Sequence, residues 1–246
     1  MKILVIGDTC IDKFVYGRCD RLCPEAPIPV LNPTNIITNP GMAGNVARNL
    51  VSLGADVDLI ANDEVIEKTR YVDEHTNQMF VRVDTEPKIK PIGKNLYDID
   101  FHKYDTIVIS DYNKGFLEHS DYKKITSRHG LVFADTKKIL SMEMEELSFI
   151  KFNTAEQWQN WISLSPEEYR IFADKIITTK GKNGCEFRKV TYPVAEVEIK
   201  DVAGAGDTFM AGLVYWYVKT EAIIEAIHFA NECATKVVQH KGVVSI

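Results

Sequence analysis

The chain has 246 residues, of which 45% are hydrophobic and 26% charged, with a net charge of −6. This is ordinary globular composition, which excludes disordered, collagen-like and coiled-coil chains, and the acidic balance argues against a nucleic-acid partner. No apolar run approaches the ~20 residues that span a bilayer, so no membrane partner is expected.

The opening MKILVIG (Met1–Gly7) is a short unbroken apolar run, as expected of a strand buried on both faces of a parallel sheet. It begins at once, without the pattern of a secretory leader. Phe14–Thr38, with Pro24, Pro27, Pro29 and Pro33, alternates apolar and polar residues like edge strands. Ala43, Val46, Ala47, Leu50 and Val51 follow helical spacing, and Gly54 supplies a stop. Tyr71–Glu86 alternates again, Met79, Val81 and Val83 against Gln78, Arg82 and Asp84. Thr106–Ser110, Leu131–Asp135, Phe149–Phe152 and Lys175–Thr179 repeat the buried-strand pattern, each ending in a small or polar residue or just before one. Phe209, Leu213, Trp216 and Tyr217 mark one further helix and Ala222–Val238 another.

Strands alternating with helices predict a single α/β domain over residues 1–246, with a doubly wound, mainly parallel sheet. A small antiparallel lid is expected from residues 13–38 and 71–86. Unpaired lid edges would invite a homodimer through those strands. Five cysteines (Cys10, Cys19, Cys23, Cys185, Cys233), odd in number and without CxxC spacing, fit a reduced cytoplasmic setting better than a disulfide framework or a metal site.

The chemistry-bearing segment is Asp201-Val-Ala-Gly-Ala-Gly-Asp207, which runs straight into a helix. Gly204 and Gly206 allow a tight turn that aims backbone N–H groups at one point on the helix N-terminus, an anion site. Asp207 beside such a site is either a general base for a transferring phosphoryl group or simply a helix N-cap; the local pattern supports both. A P-loop kinase is excluded because the sequence lacks its glycine–lysine motif, and Gly7-Asp8-Thr9 lacks a dinucleotide fingerprint.

Several motifs together resemble a family. GAGDTF after a strand, Gly7-Asp8 through Asp12, and Asn39-Pro-Gly-Met-Ala-Gly-Asn45 opening a helix are similar to ribokinase-type (PfkB) carbohydrate kinases. Gly7–Gly17, Pro24–Val30, Val81–Asp84, Ser110–Gly115 and Phe229–Asn231 resemble the heptose-7-phosphate kinase branch. The resemblance implies a ribokinase-like fold and an ATP-dependent, Mg²⁺-assisted kinase, with a heptose 7-phosphate phosphorylated on its anomeric hydroxyl. Other acceptors (fructose, ribose, a nucleoside) and a degenerate, non-catalytic binding subunit remain the alternatives. It implies that Asp207 is the base, with the amides of Gly204, Ala205 and Gly206 as the anion hole. Asp12, Gly41 and Asn45 would hold sugar hydroxyls, and Arg82 a sugar phosphate. Asn153 and Glu156 would order Mg²⁺ and phosphate, Glu156 through water. Lys137, Thr179, Gly181, Gly184 and Asn231 would line the nucleotide.

Two departures stand out. Met42 occupies the place of a second glycine; it either crowds the sugar pocket or faces outward from the helix. After Ile60 a helix–strand unit of roughly 20–30 residues is missing, so either the sheet is narrower or a partner covers it. Lys137 is either a phosphate contact or, beside Lys138, a solvated loop lysine. Trp158 and Trp161 are expected to pack within the fold, and the six histidines form no metal-binding spacing.

Overall fold

The opening apolar run forms β1 (Lys2–Gly7), buried from Ile3 onward. In a computed structural model, which describes residues 1–246, the chain continues as β2 (Thr9–Arg18), β3 (Asn32–Met42), α1 (Ala43–Ser52), β4 (Asp56–Ala61), β5 (Glu67–Asp73), β6 (Met79–Thr85) and β7 (Thr106–Asp111). The second half comprises α2 (His119–Thr126), β8 (Val132–Thr136), β9 (Phe149–Asn153), α3 (Thr154–Ser163), α4 (Pro166–Ala173), β10 (Ile176–Thr179), β11 (Cys185–Phe187), β12 (Val190–Tyr192), α5 (Ala205–Thr220) and α6 (Ile223–Val237).

The main sheet has eight strands in the order β12-β11-β10-β9-β8-β7-β1-β4. It is parallel from β4 to β10, and β11 and β12 add an antiparallel end. α1, α5 and α6 cover one face through Val46, Leu50, Leu213 and Ile227. α2, α4 and the turns between β6 and β7 cover the other through Tyr122, Ile125, Phe172, Leu96 and Phe101. The chain winds outward in opposite directions from the β1–β7 pair, so a crevice opens over the carboxyl ends of those strands.

The lid is a separate four-stranded sheet, β3-β2-β5-β6. Its hairpins β2–β3 and β5–β6 are antiparallel, as the alternation predicts, but β2 and β5 lie parallel at its centre. The reason is geometric. β1 and β4 are parallel neighbours, and each runs out of the main sheet directly into a lid strand, so the extensions leave side by side in one direction. The lid strands accordingly begin at Thr9 and Glu67, ahead of the limits expected from alternation alone.

No helix–strand unit follows Ile60. Residues 62–66 lead straight from β4 to β5, tied down by Asn62, whose Oδ1 accepts from Thr9 N–H at 2.7 Å and whose Nδ2 donates to the Glu64 carbonyl at 2.6 Å. The sheet is therefore the narrower one, with β4 as an edge and Leu59 exposed on it. Trp158 and Trp161 depart from expectation: they are exposed on α3 and lie against each other, ring centroids 5.0 Å apart and planes tilted by 32°, rather than entering the core.

Met42 neither faces outward nor sits in an ordinary helical turn. It is the N-cap of α1 with φ 56° and ψ −131°, and its side chain is buried in the apolar cluster that includes Cys10 and Ile66. Such a backbone suits glycine, and a side-chain-bearing residue there stores about 1–3 kcal/mol of strain. The core contact of the thioether offsets it. Met42→Ala keeps the strain and loses the packing, an expected loss of about 2–5 kcal/mol. Met42→Gly relieves the strain, so urea unfolding should find the glycine variant at least as stable as the alanine one, the reverse of the usual order inside a folded element.

Candidate active site

The turn ahead of α5 lies over the crevice. Gly204 holds φ 78°, and a β-carbon on it would stand 2.7 Å from Asn45 Nδ2. The Ala205 N–H is turned onto the Val202 carbonyl at 3.3 Å, while the N–H groups of Gly204, Gly206 and Asp207 meet no acceptor in the protein. The helix N-terminus therefore offers orphan donors and the positive end of its dipole at one place. A β-carbon at Gly206 would lie 3.0 Å from Lys151 Nζ, so an ammonium group stands directly against the turn.

Gly204, not Asp207, is the N-cap residue of α5, which removes the capping explanation for the carboxylate. Asp207 is buried. Its Oδ2 accepts from Asn45 Nδ2 at 2.9 Å and its Oδ1 from the Tyr112 hydroxyl at 2.7 Å. Burial pushes this carboxyl above its usual range, against the pull of the Asn45 and Tyr112 hydrogen bonds. Asp135 adds to the upward push and Lys151 opposes it.

A chain of charges runs from here along the strand ends. Lys151, buried in β9, donates to Asp135 Oδ2 at 2.7 Å. Lys137 lies 3.6 Å from Asp135 Oδ1 and pairs with Glu156 Oε1. Burial pushes the Asp135 carboxyl up, but Lys151 and Lys137 outweigh it and hold the group below its usual range. Lys138 is buried against Asp111. Neither lysine is thus a solvated loop residue. Glu156 and Asn153 form the capping box of α3: Glu156 Oε2 accepts from Asn153 N–H at 2.8 Å, and Asn153 Oδ1 from Glu156 N–H at 2.9 Å.

On the lid, Asp12 Oδ1 accepts from Arg70 Nη1 at 2.5 Å, and the guanidinium lies 5.0 Å from the centre of the Phe14 ring. Gly41 is bare because a β-carbon would come within 2.2 Å of Asp12 Oδ2. Asp12 and Asp207 both act electrostatically on Cys10 and Arg48. Asn45, expected to hold sugar hydroxyls, is already engaged: besides donating to Asp207, it accepts through Oδ1 from Arg48 at 3.0 Å and Asn49 at 3.2 Å. Arg82 is exposed, its fork closed on Asp84 at 2.8 and 3.0 Å.

The remaining residues lie at the end of β10 and beyond it. The Thr179 hydroxyl donates to the Phe152 carbonyl at 3.1 Å, and Gly181 and Gly184 bound the turn that follows. Asn231 Nδ2 donates to the Tyr192 carbonyl at 3.0 Å. It lines a cleft of about 420 Å³ with Pro193, Val194, His228 and Lys236.

Residues 134–246 match the profile of the pfkB family carbohydrate kinases. The bifunctional protein HldE of Helicobacter pylori (strain J99) is 32% identical over 295 aligned positions, covering 98% of this chain and 63% of that protein. From β8 onward the chain is thus similar to a PfkB carbohydrate kinase. Its fold is ribokinase-like: the ribokinase of Thermotoga maritima superposes with a TM-score of 0.72 at 16% identity, covering 98% of this chain and 94% of the other. The ribokinase of Cryptococcus neoformans, solved in complex with ADP, gives 0.68 at 16%, covering 99% and 96%. The chain spans less than two thirds of the curated relatives' length. The alignment is also longer than the chain's 246 residues, in keeping with the direct passage from β4 to β5.

The family match starts within β8, so it takes in Lys137, Asn153, Glu156, the Gly204–Asp207 turn and Asn231, but not the lid. Residue-by-residue reading passed over Tyr112, Asp135, Lys151 and Arg70. A lysine inside the apolar run Phe149–Phe152 was the available signal, because a buried lysine needs a partner. The turn supplies a direct test. Gly204→Ala forces a β-carbon onto Asn45 and a left-handed backbone on alanine, at a cost of about 1–2 kcal/mol. Thermal unfolding should show the loss, and phosphate-analogue binding at the turn should weaken with it.

Proposed function

We propose that this domain transfers the γ-phosphoryl group of ATP to a sugar phosphate, with the anomeric hydroxyl of a heptose 7-phosphate as the acceptor. The observation that carries the reading is Asp207: a buried carboxylate, not a cap, set beside unoccupied N–H donors at a helix N-terminus. A fixed anion next to an anion site makes chemical sense if it removes a proton. Asp207 takes the proton of the acceptor hydroxyl as that oxygen bonds to the γ-phosphorus. The bond from phosphorus to the bridging oxygen breaks, and ADP departs with the electron pair. The Gly206 and Asp207 amides, with Lys151 behind the turn, meet the charge spread over the phosphoryl oxygens. ADP in the Cryptococcus structure and the cleft at Asn231 support a nucleotide lying over β10–β12.

The lid favours a phosphorylated acceptor. Asp12 of β2 is level with Lys68 of β5, which is level with Asp84 of β6; Arg70 and Arg82 follow two residues along on the same face. Lys68, Arg70 and Arg82 thus line one lid face with Asp12, cations for a phosphate beside a carboxylate for hydroxyls. No group of three or more His, Cys, Asp or Glu is gathered as a metal cage. Glu156 has both oxygens engaged, by Asn153 and Lys137. These residues suit Mg²⁺ held through water and the nucleotide's own phosphates, where it would neutralise charge between them. Five free cysteines fit a reduced, cytoplasmic setting.

ADP release measured across sugars and sugar phosphates should be fastest with the heptose phosphate. Faster turnover of fructose, ribose or a nucleoside would move the substrate assignment, and no turnover with any would leave a binding subunit. Asp207→Asn should lower kcat by about 10²–10⁴ with nucleotide Kd near wild type, because the base acts on the transition state. Retained turnover would refute the mechanism. The outer lid strands are open, with Met79, Val81 and Val83 exposed on β6 and Ile36 and Ile37 on β3. We expect them to pair two chains, and light scattering at micromolar concentration should give a dimer mass; a monomer would reject it.

A further inference from the structure

Tyr112 follows directly on β7, within the Ser110–Gly115 segment, and the resemblance assigns it no role. Its hydroxyl is the donor to Asp207 Oδ1, at 2.7 Å. Burial, and then the charge of Asp207, push the phenol well above its usual range, so it keeps its proton and remains the donor. Two ammonium groups lie over the ring: Lys137 Nζ is 4.9 Å from its centre and Lys68 Nζ, on the lid, 5.5 Å. The loop behind it is pinned as well. Asn113 N–H donates to Asp111 Oδ1 at 2.7 Å, and the Asp8 carboxylate accepts from Lys114 N–H at 3.1 Å and Phe116 N–H at 3.3 Å. The hydroxyl therefore has a fixed position, and with Asn45 on Oδ2 it fixes the plane of the carboxylate.

We propose that Tyr112 is a positioning residue for Asp207, orienting the carboxylate and keeping it ionised before the acceptor arrives. This rests on the reading of Asp207 as the base. The hydrogen bond runs to the charged form, so it favours the ionised carboxylate against the burial that disfavours it. The other charged or titratable groups acting with Asp207 are Asp135 from β8, Lys137 just after it, Lys151 from β9, Arg48 from α1 and Cys10 from β2. All of them remain in Tyr112→Phe, which removes only the hydroxyl and retains the ring with its two cations.

The test is a carbon-13 carboxyl titration of the nucleotide-free protein, the Asp207 resonance being assigned by its loss in Asp207→Asn. In Tyr112→Phe the midpoint should rise by about one pH unit. The acid limb of kcat/KM for ADP formation should move with it, about tenfold below wild type on the acid side and converging at alkaline pH. An unmoved midpoint, or activity lowered equally at every pH, would overturn the positioning role while leaving the base in place. Turnover retained in Asp207→Asn would instead remove the base, and the Tyr112 proposal with it.

Discussion

The constraint on which the structure turns is the burial of one carboxylate next to the open end of a helix. Asp207 has almost no access to water, and its ionised form is held by two neutral donors from distant parts of the chain, Asn45 on α1 and Tyr112 after β7. A buried charge without such partners would be strongly destabilising. The doubly wound topology exists, in this sense, to bring those partners together: α1 follows the lid hairpin on one side of the β1–β7 crevice, and Tyr112 ends the strand on the other.

A second buried network stiffens the same crevice without entering the chemistry. Asp111 accepts from the Tyr122 hydroxyl at 2.6 Å and from Lys138 Nζ at 2.5 Å, and the Thr136 hydroxyl, 2.9 Å away, donates to the Tyr122 oxygen. Asp8 ties down the loop after Tyr112 from the end of β1. Burial raises the Asp8 carboxyl, opposed by the N–H groups of Lys114 and Phe116 and aggravated by nearby Asp111. Two carboxylates at the ends of adjacent strands are tolerable only because each meets directed donors, and those donors set the shape of the loop.

The shortened region shows what the fold can dispense with. Passing from β4 directly into β5 leaves an exposed edge but keeps β4 beside β1 and β5 beside β2, so the lid still hangs over the crevice from two anchored strands. Strain persists at Met42, where the backbone keeps a glycine-like geometry although a side chain is present.

The amino-acid sequence by itself determined the elements and the reactive turn. Strands buried on both faces carry unbroken apolar runs, helices carry their 3.6-residue stripe, and the glycines around Ala205 permit only a tight turn into α5. These signals are local, so they are legible in order along the chain. Tertiary structure alone decided the rest. Whether Asp207 caps its helix or is presented to a ligand depends on Gly204 taking the cap. Tyr112 acquires its role from a partner 95 residues away, and Asp135 and Lys151 theirs from each other across 16 residues. The parallel pairing of β2 with β5 follows from which strands of the main sheet they extend. Lys137 and Lys138, adjacent in sequence, are directed to different carboxylates by the turn after β8. Periodicity records which residues avoid water, but not which polar groups meet once they have done so.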